Sequence, residues 1–265
     1  MRGARAWRIT GTVALVLAVA FGAVQTWAMV VQQKAVSERV YHVGVTSVQL
    51  DTGSAAVRIR PGREGRVLVH QDLDWTVRRP VVSTVFEGDV LIVRMRCNQV
   101  MPVADFGCGA FFDLEVPAAA SVTGKGSSGS VDVQGLSGDV RLELTSGAVE
   151  LADLSGQVSV RTTSGSVKGG SLTSPRVGVG TTSGEVRLAF AQQPKAVDVG
   201  VTSGSLKLVL PRQTKYNFTG AVGSFLGDTG SGNRHIDTDL VDPTSANTVR
   251  LSAGSGSVDV GAAGD

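Results

Sequence analysis

The residues in this chain that could do chemistry are few and widely spaced. Asp51-Thr52-Gly53-Ser54 and Asp228-Thr229-Gly230-Ser231 repeat one tetrapeptide. Two such loops could set a pair of carboxylates to share one proton, one activating water while the other polarises a carbonyl. Gly124-Lys125-Gly126-Ser127-Ser128-Gly129 fits a phosphate-cradling G-x-G-x-x-G, which works only where a strand feeds a helix. His42, His70 and His235 fit no metal-ligand spacing. Cys97 and Cys108 are the only cysteines, eleven positions apart in a segment containing Pro and Gly. Outside the cytoplasm they most simply form one disulfide.

The surrounding pattern weakens most of these candidates. Ser-Gly recurs at 128, 137, 146, 155 and 164 with no slippage, then at 183 and 203. The ninth residue alternates Leu136, Thr145, Leu154, Thr163, Leu172, so the true unit is eighteen residues, a pair of nines. Between corners, Val131 and Val133, Val140 and Leu142, Val149 and Leu151, Val158 and Val160 are apolar at every second place. Period-two alternation marks strands with one dry and one wet face, and β-branched Val suits them. Gly supplies the backbone freedom of a tight corner at Ser128-Gly129, Ser146-Gly147, Ser164-Gly165, Ser183-Gly184 and Ser203-Gly204. In this frame both Asp-Thr-Gly-Ser copies read as corners, and the G-x-G-x-x-G runs into strand rather than helix.

One such unit cannot bury its apolar face alone, so units must stack. The expected fold is all-β: a parallel β-solenoid with about eighteen residues per coil, successive coils about 4.8 Å apart. One sheet should hold Val131, Val149, Val167, Val186 and Leu206, and the facing sheet Val140, Val158, Val177 and Val197. Irregular strands over 45–117 should cap one end, since an open solenoid end exposes strand edges. Coils of this length also occur in calcium-binding β-rolls, but Ser-Gly corners lack the carboxylates of such a ladder, so no cofactor or metal is expected.

Outward residues form columns along the stack. Asp132, Glu150, Lys168, Arg187 and Lys207 share one, and Lys168, Arg187 and Lys207 are a candidate face for an anionic envelope polymer. On the other sheet Gly178, Gly180 and Gly200 leave a bare patch where another surface could approach the backbone. Net charge is only +2 and the basic residues are dispersed, which argues against nucleic acid.

Arg2, Arg5 and Arg8 precede an uncharged run over 9–31, long enough to cross a bilayer at about 1.5 Å per residue. Arginines ahead of the run place everything after it outside the cytoplasm. A cleaved signal peptide, with Ala18-Val19-Ala20 as its small-x-small site, is the alternative, and the length of the run favours an uncleaved single-pass membrane anchor. The expected organisation is an anchor over 1–31, a linker over 32–44, the repeat domain over 45–261 and a short tail over 262–265.

The in-phase Ser-Gly-x-Val-x-Val signature in SSGSVDVQGLSGDVRLELTSGAVELADLSGQVSVRTTSGSV resembles a bacterial adhesin-like family, a domain of unknown function built from β-strand repeats. The resemblance covers roughly 45–261 and is strongest over 120–210. It implies an envelope-associated, non-enzymatic solenoid acting as a surface scaffold or binding module, and assigns no ligand residues. A sensory domain of envelope stress is the alternative. A glycan-active enzyme would need a carboxylate and cation cluster that the columns do not assemble.

Overall fold

A computed structural model describes residues 19, 22, 33–76, 78–97, 108–220 and 234–263. The apolar run over 9–31 lies almost wholly outside the described residues. Among those described, no helix is long and apolar enough to cross a membrane.

The centre of the molecule is a stack of long bent strands: β10 (Val140–Ala152), β11 (Val158–Leu172), β12 (Arg176–Phe190), β13 (Ala196–Leu210) and β16 (Thr248–Ala262). Neighbours pair in parallel, each rung offset from the last by eighteen to twenty residues until β13 meets β16. Val131, Val149 and Val167 are stacked neighbours, as are Val140, Val158, Val177 and Val197. All seven are buried, so the two dry faces meet in one core as the alternation requires. The result is a β-solenoid-like stack.

Each bent strand has a leading arm and a trailing arm joined at a Ser-Gly corner. The Leu/Thr alternation distinguishes two kinds of corner. Thr145, Thr163, Thr182 and Thr202 are exposed at the bend inside each strand, whereas Leu136, Leu154 and Leu172 are buried where one rung passes to the next. At the inner bend the glycines form a column: Gly147, Gly165, Gly184 and Gly204 have φ between +122° and +144°. A Cβ on Gly165 would lie 1.9 Å from the Gly147 carbonyl oxygen, and each neighbour repeats that close approach. Only glycine combines that backbone with that spacing.

The ends of the stack are laid down out of chain order. β2 (Ser47–Gly53) and β3 (Ala56–Gly62) make one rung, flanked on one side by β8 (Ser121–Gly126) and β9 (Ser130–Gln134). On the other side lie β6 (Val90–Arg96) and β7 (Cys108–Pro117), which come between them in sequence. The solenoid is not parallel throughout. β4 (Val67–Trp75) pairs antiparallel with β7, β1 (Gln33–Tyr41) antiparallel with β4, and β5 (Val81–Glu87) antiparallel with β6. The linker expected over 32–44 is therefore largely strand. Its inner side carries Ser37, Arg39 and Tyr41, so it shows no apolar alternation, and pairing with β4 fixes it instead.

At the far end the last strand of the chain does not complete the last coil, as its position in sequence suggests. β14 (Asn217–Gly220), β15 (Arg234–Ile236) and a 3-10 turn at Thr238–Leu240 lie outside β16 and close the stack. Tyr216 is fully buried in this cap, and no well-aligned hydrogen bond reaches its hydroxyl among the described residues.

Candidate functional site

The structure separates the sequence candidates rather than assembling them. Asp51 sits on β2 with Arg94 and Lys125 as register partners, and Asp228 lies outside the described residues. Gly124 and Gly126 belong to strand β8, where a Cβ would press within 2.8 Å of Leu142 and 3.0 Å of Leu144. Those glycines make room for core leucines, and no helix follows them. His42 and His235 are exposed, and His70 stands between Glu38 (3.5 Å) and Asp72 (3.2 Å). Among the described residues no group of three potential ligands gathers around a metal position.

Cys97 and Cys108 form a disulfide with Cα atoms 6.2 Å apart. It joins the end of β6 to the start of β7, where the other rungs carry Ser-Gly or Thr-Gly corners.

The column on the trailing arms continues past its expected members. Asp113, Arg58, Asp132, Glu150, Lys168, Arg187, Lys207 and Asp259 follow one another across the stack. Each of the three candidate cations has a carboxylate partner. Lys168 meets Glu150 at 3.7 Å, Arg187 meets Glu185 at 2.6 Å, and Lys207 meets Asp259 at 3.6 Å. Exposed pairs of this kind are worth under about 1 kcal/mol each. They nevertheless cancel the positive field that would draw an anion to this face.

The leading arms differ. Their outward column runs Arg94, Asp51, Lys125, Glu143, Arg161, then Gly180, Gly200 and Ser252. Charge alternates as far as Arg161, and Lys125 and Glu143 pair at 3.2 Å. Arg161 is exposed and has no carboxylate partner among the described residues. Beyond it a shelf opens with a volume of about 610 Å³, floored by Gly180 and Gly200 and rimmed by Thr182 and Thr202. A second hollow of about 520 Å³, reaching Lys125 and Thr145, shares Arg161 and Thr162 with the first. Together they make a shallow trough running along the stack.

Sterically, the shelf glycines are unlike the corner glycines. A Cβ on Gly180 would meet nothing within 4 Å, and one on Gly200 only the Ser252 hydroxyl oxygen at 3.2 Å. Neither has a φ that excludes other residues. Glycine inside a strand weakens it by about 0.5–1 kcal/mol relative to alanine, so the fold alone gives no reason for them. No local motif marks Arg161 in the sequence. Counting eighteen to twenty residues per rung places it in the same column as Gly180 and Gly200, so the repeat carried the signal.

Stacked parallel rungs, with an open trough on one side and no assembled catalytic set among the described residues, define a repeat-built β-solenoid-like domain. The chain belongs to the Toastrack DUF4097 family, which matches residues 87–261. No curated protein matches the chain. Among solved structures it is similar to a candidate adhesin from Bacteroides fragilis, at 10% identity over 86% of this chain and 98% of that one, with a TM-score of 0.48. A candidate adhesin from Parabacteroides merdae shares 12% identity over 86% and 95% of the two chains, with a TM-score of 0.40. A candidate cell adhesion protein from Clostridium sporogenes shares 12% identity over 86% and 100%, with a TM-score of 0.36. At these scores the likenesses carry no inference about ligand or activity.

Proposed function

We propose that this protein is a non-enzymatic binding module, anchored by residues 9–31 and facing outward from the membrane, that holds an extended anionic polymer in the trough along its leading arms. One observation carries the reading: Gly180 leaves open space in mid-strand, at a cost to the strand, beside an exposed Arg161 that has no carboxylate partner among the described residues. A bare backbone floor lets a flat chain lie close, the Thr182 and Thr202 hydroxyls offer hydrogen bonds, and a guanidinium suits phosphate or carboxylate. A shallow trough fits a polymer better than a small molecule, which a deep apolar pocket would suit.

The test is equilibrium binding of the purified chain to isolated envelope polymers. Arg161→Gln and Gly180→Val should each weaken binding by about tenfold, or roughly 1.4 kcal/mol. Reversing Lys168, Arg187 and Lys207 should leave it unchanged, because those charges are already paired. Parental affinity in both trough variants would defeat the proposal. Turnover of the polymer, lost on a single carboxylate change, would defeat its non-enzymatic part.

A further inference from the structure

The N-terminal end of the stack has a surface unlike the rest. β1 and β5 are the outermost strands on their two sides, each paired along one edge only. Of the described large apolar residues that are exposed, all but Val19 lie here: Val36 and Val40 on β1, Val43 just after it, and Val81 and Val85 on β5. Val36 is 67% exposed and Val81 55%. Between the two strands the core opens into a hollow of about 330 Å³ lined by Ser37, Arg39, Tyr41, Gln71, Arg79 and Thr84 among others. Arg39 has no carboxylate partner among the described residues, and Arg79 stacks on Trp75 at 5.3 Å. The Tyr41 and Phe86 rings, 4.7 Å apart, tie β1 to β5 at the edge of this mouth.

We infer that this mouth is a docking surface for the outer leaflet of the membrane, with Arg39 and Arg79 taking lipid phosphate groups. The inference rests on reading 9–31 as an uncleaved anchor. β1 begins at Gln33, two residues after that run ends, and two residues span at most about 7 Å. The terminal strand, and with it the open end, is therefore held against the headgroups. Its composition matches that boundary. Exposed valines stand on β1 and β5 on either side of a hollow lined by guanidiniums, and Trp75 is a side chain that favours the interface. Guanidinium binds phosphodiester oxygens with two parallel hydrogen bonds, which ammonium cannot do. Contact with the headgroups would also cover the β1 and β5 edges, which otherwise remain open for pairing with another chain.

The experiment is hydrogen exchange on the full chain in three settings: neutral detergent, nanodiscs of phosphatidylcholine, and nanodiscs that also contain phosphatidylglycerol. Amides of Gln33–Tyr41 and Val81–Glu87 should slow by about tenfold from detergent to the phosphatidylglycerol discs, with a smaller effect in phosphatidylcholine alone. The double variant Arg39→Gln, Arg79→Gln should lose the phosphatidylglycerol increment while β10 to β13 exchange as in the parent. Equal exchange of β1 and β5 in discs and detergent overturns the inference. So does slowing that the double variant retains, or protection in detergent that grows with protein concentration, which would assign the surface to a second copy. Intact mass settles the anchor separately. A product cleaved near Ala20 removes the tether and the inference together, whereas full-length mass with unprotected β1 and β5 overturns the inference alone.

Discussion

The chain's glycines divide by what surrounds them. Gly165 sits at φ +143° with the Gly147 carbonyl oxygen where its Cβ would be, so Gly165→Ala should cost at least about 2 kcal/mol. Gly180→Val places a β-branched side chain in open space on a strand and should leave stability unchanged or raise it by up to about 1 kcal/mol. Urea denaturation of the two variants against the parent checks both. Tyr216 gives a pH prediction at the same scale. Burial pushes its phenol up to about 12, and Thr214 offsets part of the rise. The Thr214 hydroxyl is itself committed to Gln193 at 3.2 Å. The folded pKa lies above the usual value of 10.0, so the folded state holds this proton more tightly than the unfolded chain does. Its contribution is fully present below pH 10 and is lost as pH rises toward 12. A two-unit shift corresponds to roughly 3 kcal/mol. Alkaline melts should show this loss in the parent and not in Tyr216→Phe, and an equal loss in both would exclude Tyr216 as its source.

Among the elements, legibility followed regularity. The pairings of β10 to β13 were readable because corner residues, apolar alternation and period all agree, and a shift of one residue would turn every valine to solvent. The antiparallel pairing of β1 with β4 was not readable: QKAVSERVY carries no periodic apolar face, and its partner is fixed by backbone pairing across the end of the stack. The place of β16 between β13 and the β14/β15 cap was hidden for a different reason. Its sequence repeats the corner faithfully, but nothing local says that residues 211–247 fold over it. The candidate basic face shows a further limit. Its column was correct, yet Glu185 comes from the corner and Asp259 from a distant strand, and these neutralise it. The disulfide belongs at this scale too. Cys97→Ser with Cys108→Ser should cost roughly 2–3 kcal/mol on a chain-entropy argument. Hydrogen exchange should quicken in β6 and β7 first, leaving β11 to β13 protected, whereas uniform quickening would mean the bridge holds the whole stack.

For the molecule as a whole, the stack behaves as a sum of rungs and their contacts. Deleting residues 146–163 joins Thr145 to Ser164 and restores the same corner, so the remaining rungs should close up and the chain should still fold with reduced stability. Deleting only 146–154 joins the inner kind of corner to the outer kind and sends each later arm to the wrong face. That protein should lose its β-sheet circular dichroism signal at room temperature. If both deletions fold equally well, the pair of nines is not the structural unit.

The order in which rungs are laid down has a consequence for synthesis. β2 waits for a neighbour that comes 43 residues later in the chain and β3 for one 55 residues later, and β13 waits for β16 across the 211–247 excursion. A ribosome that stalls before Thr248 therefore releases a product whose newest rung is bare along one side, ready to stick to its siblings. Completeness of translation is thus written into whether the last gap is filled, and a protease could tell finished copies from unfinished ones by that gap alone.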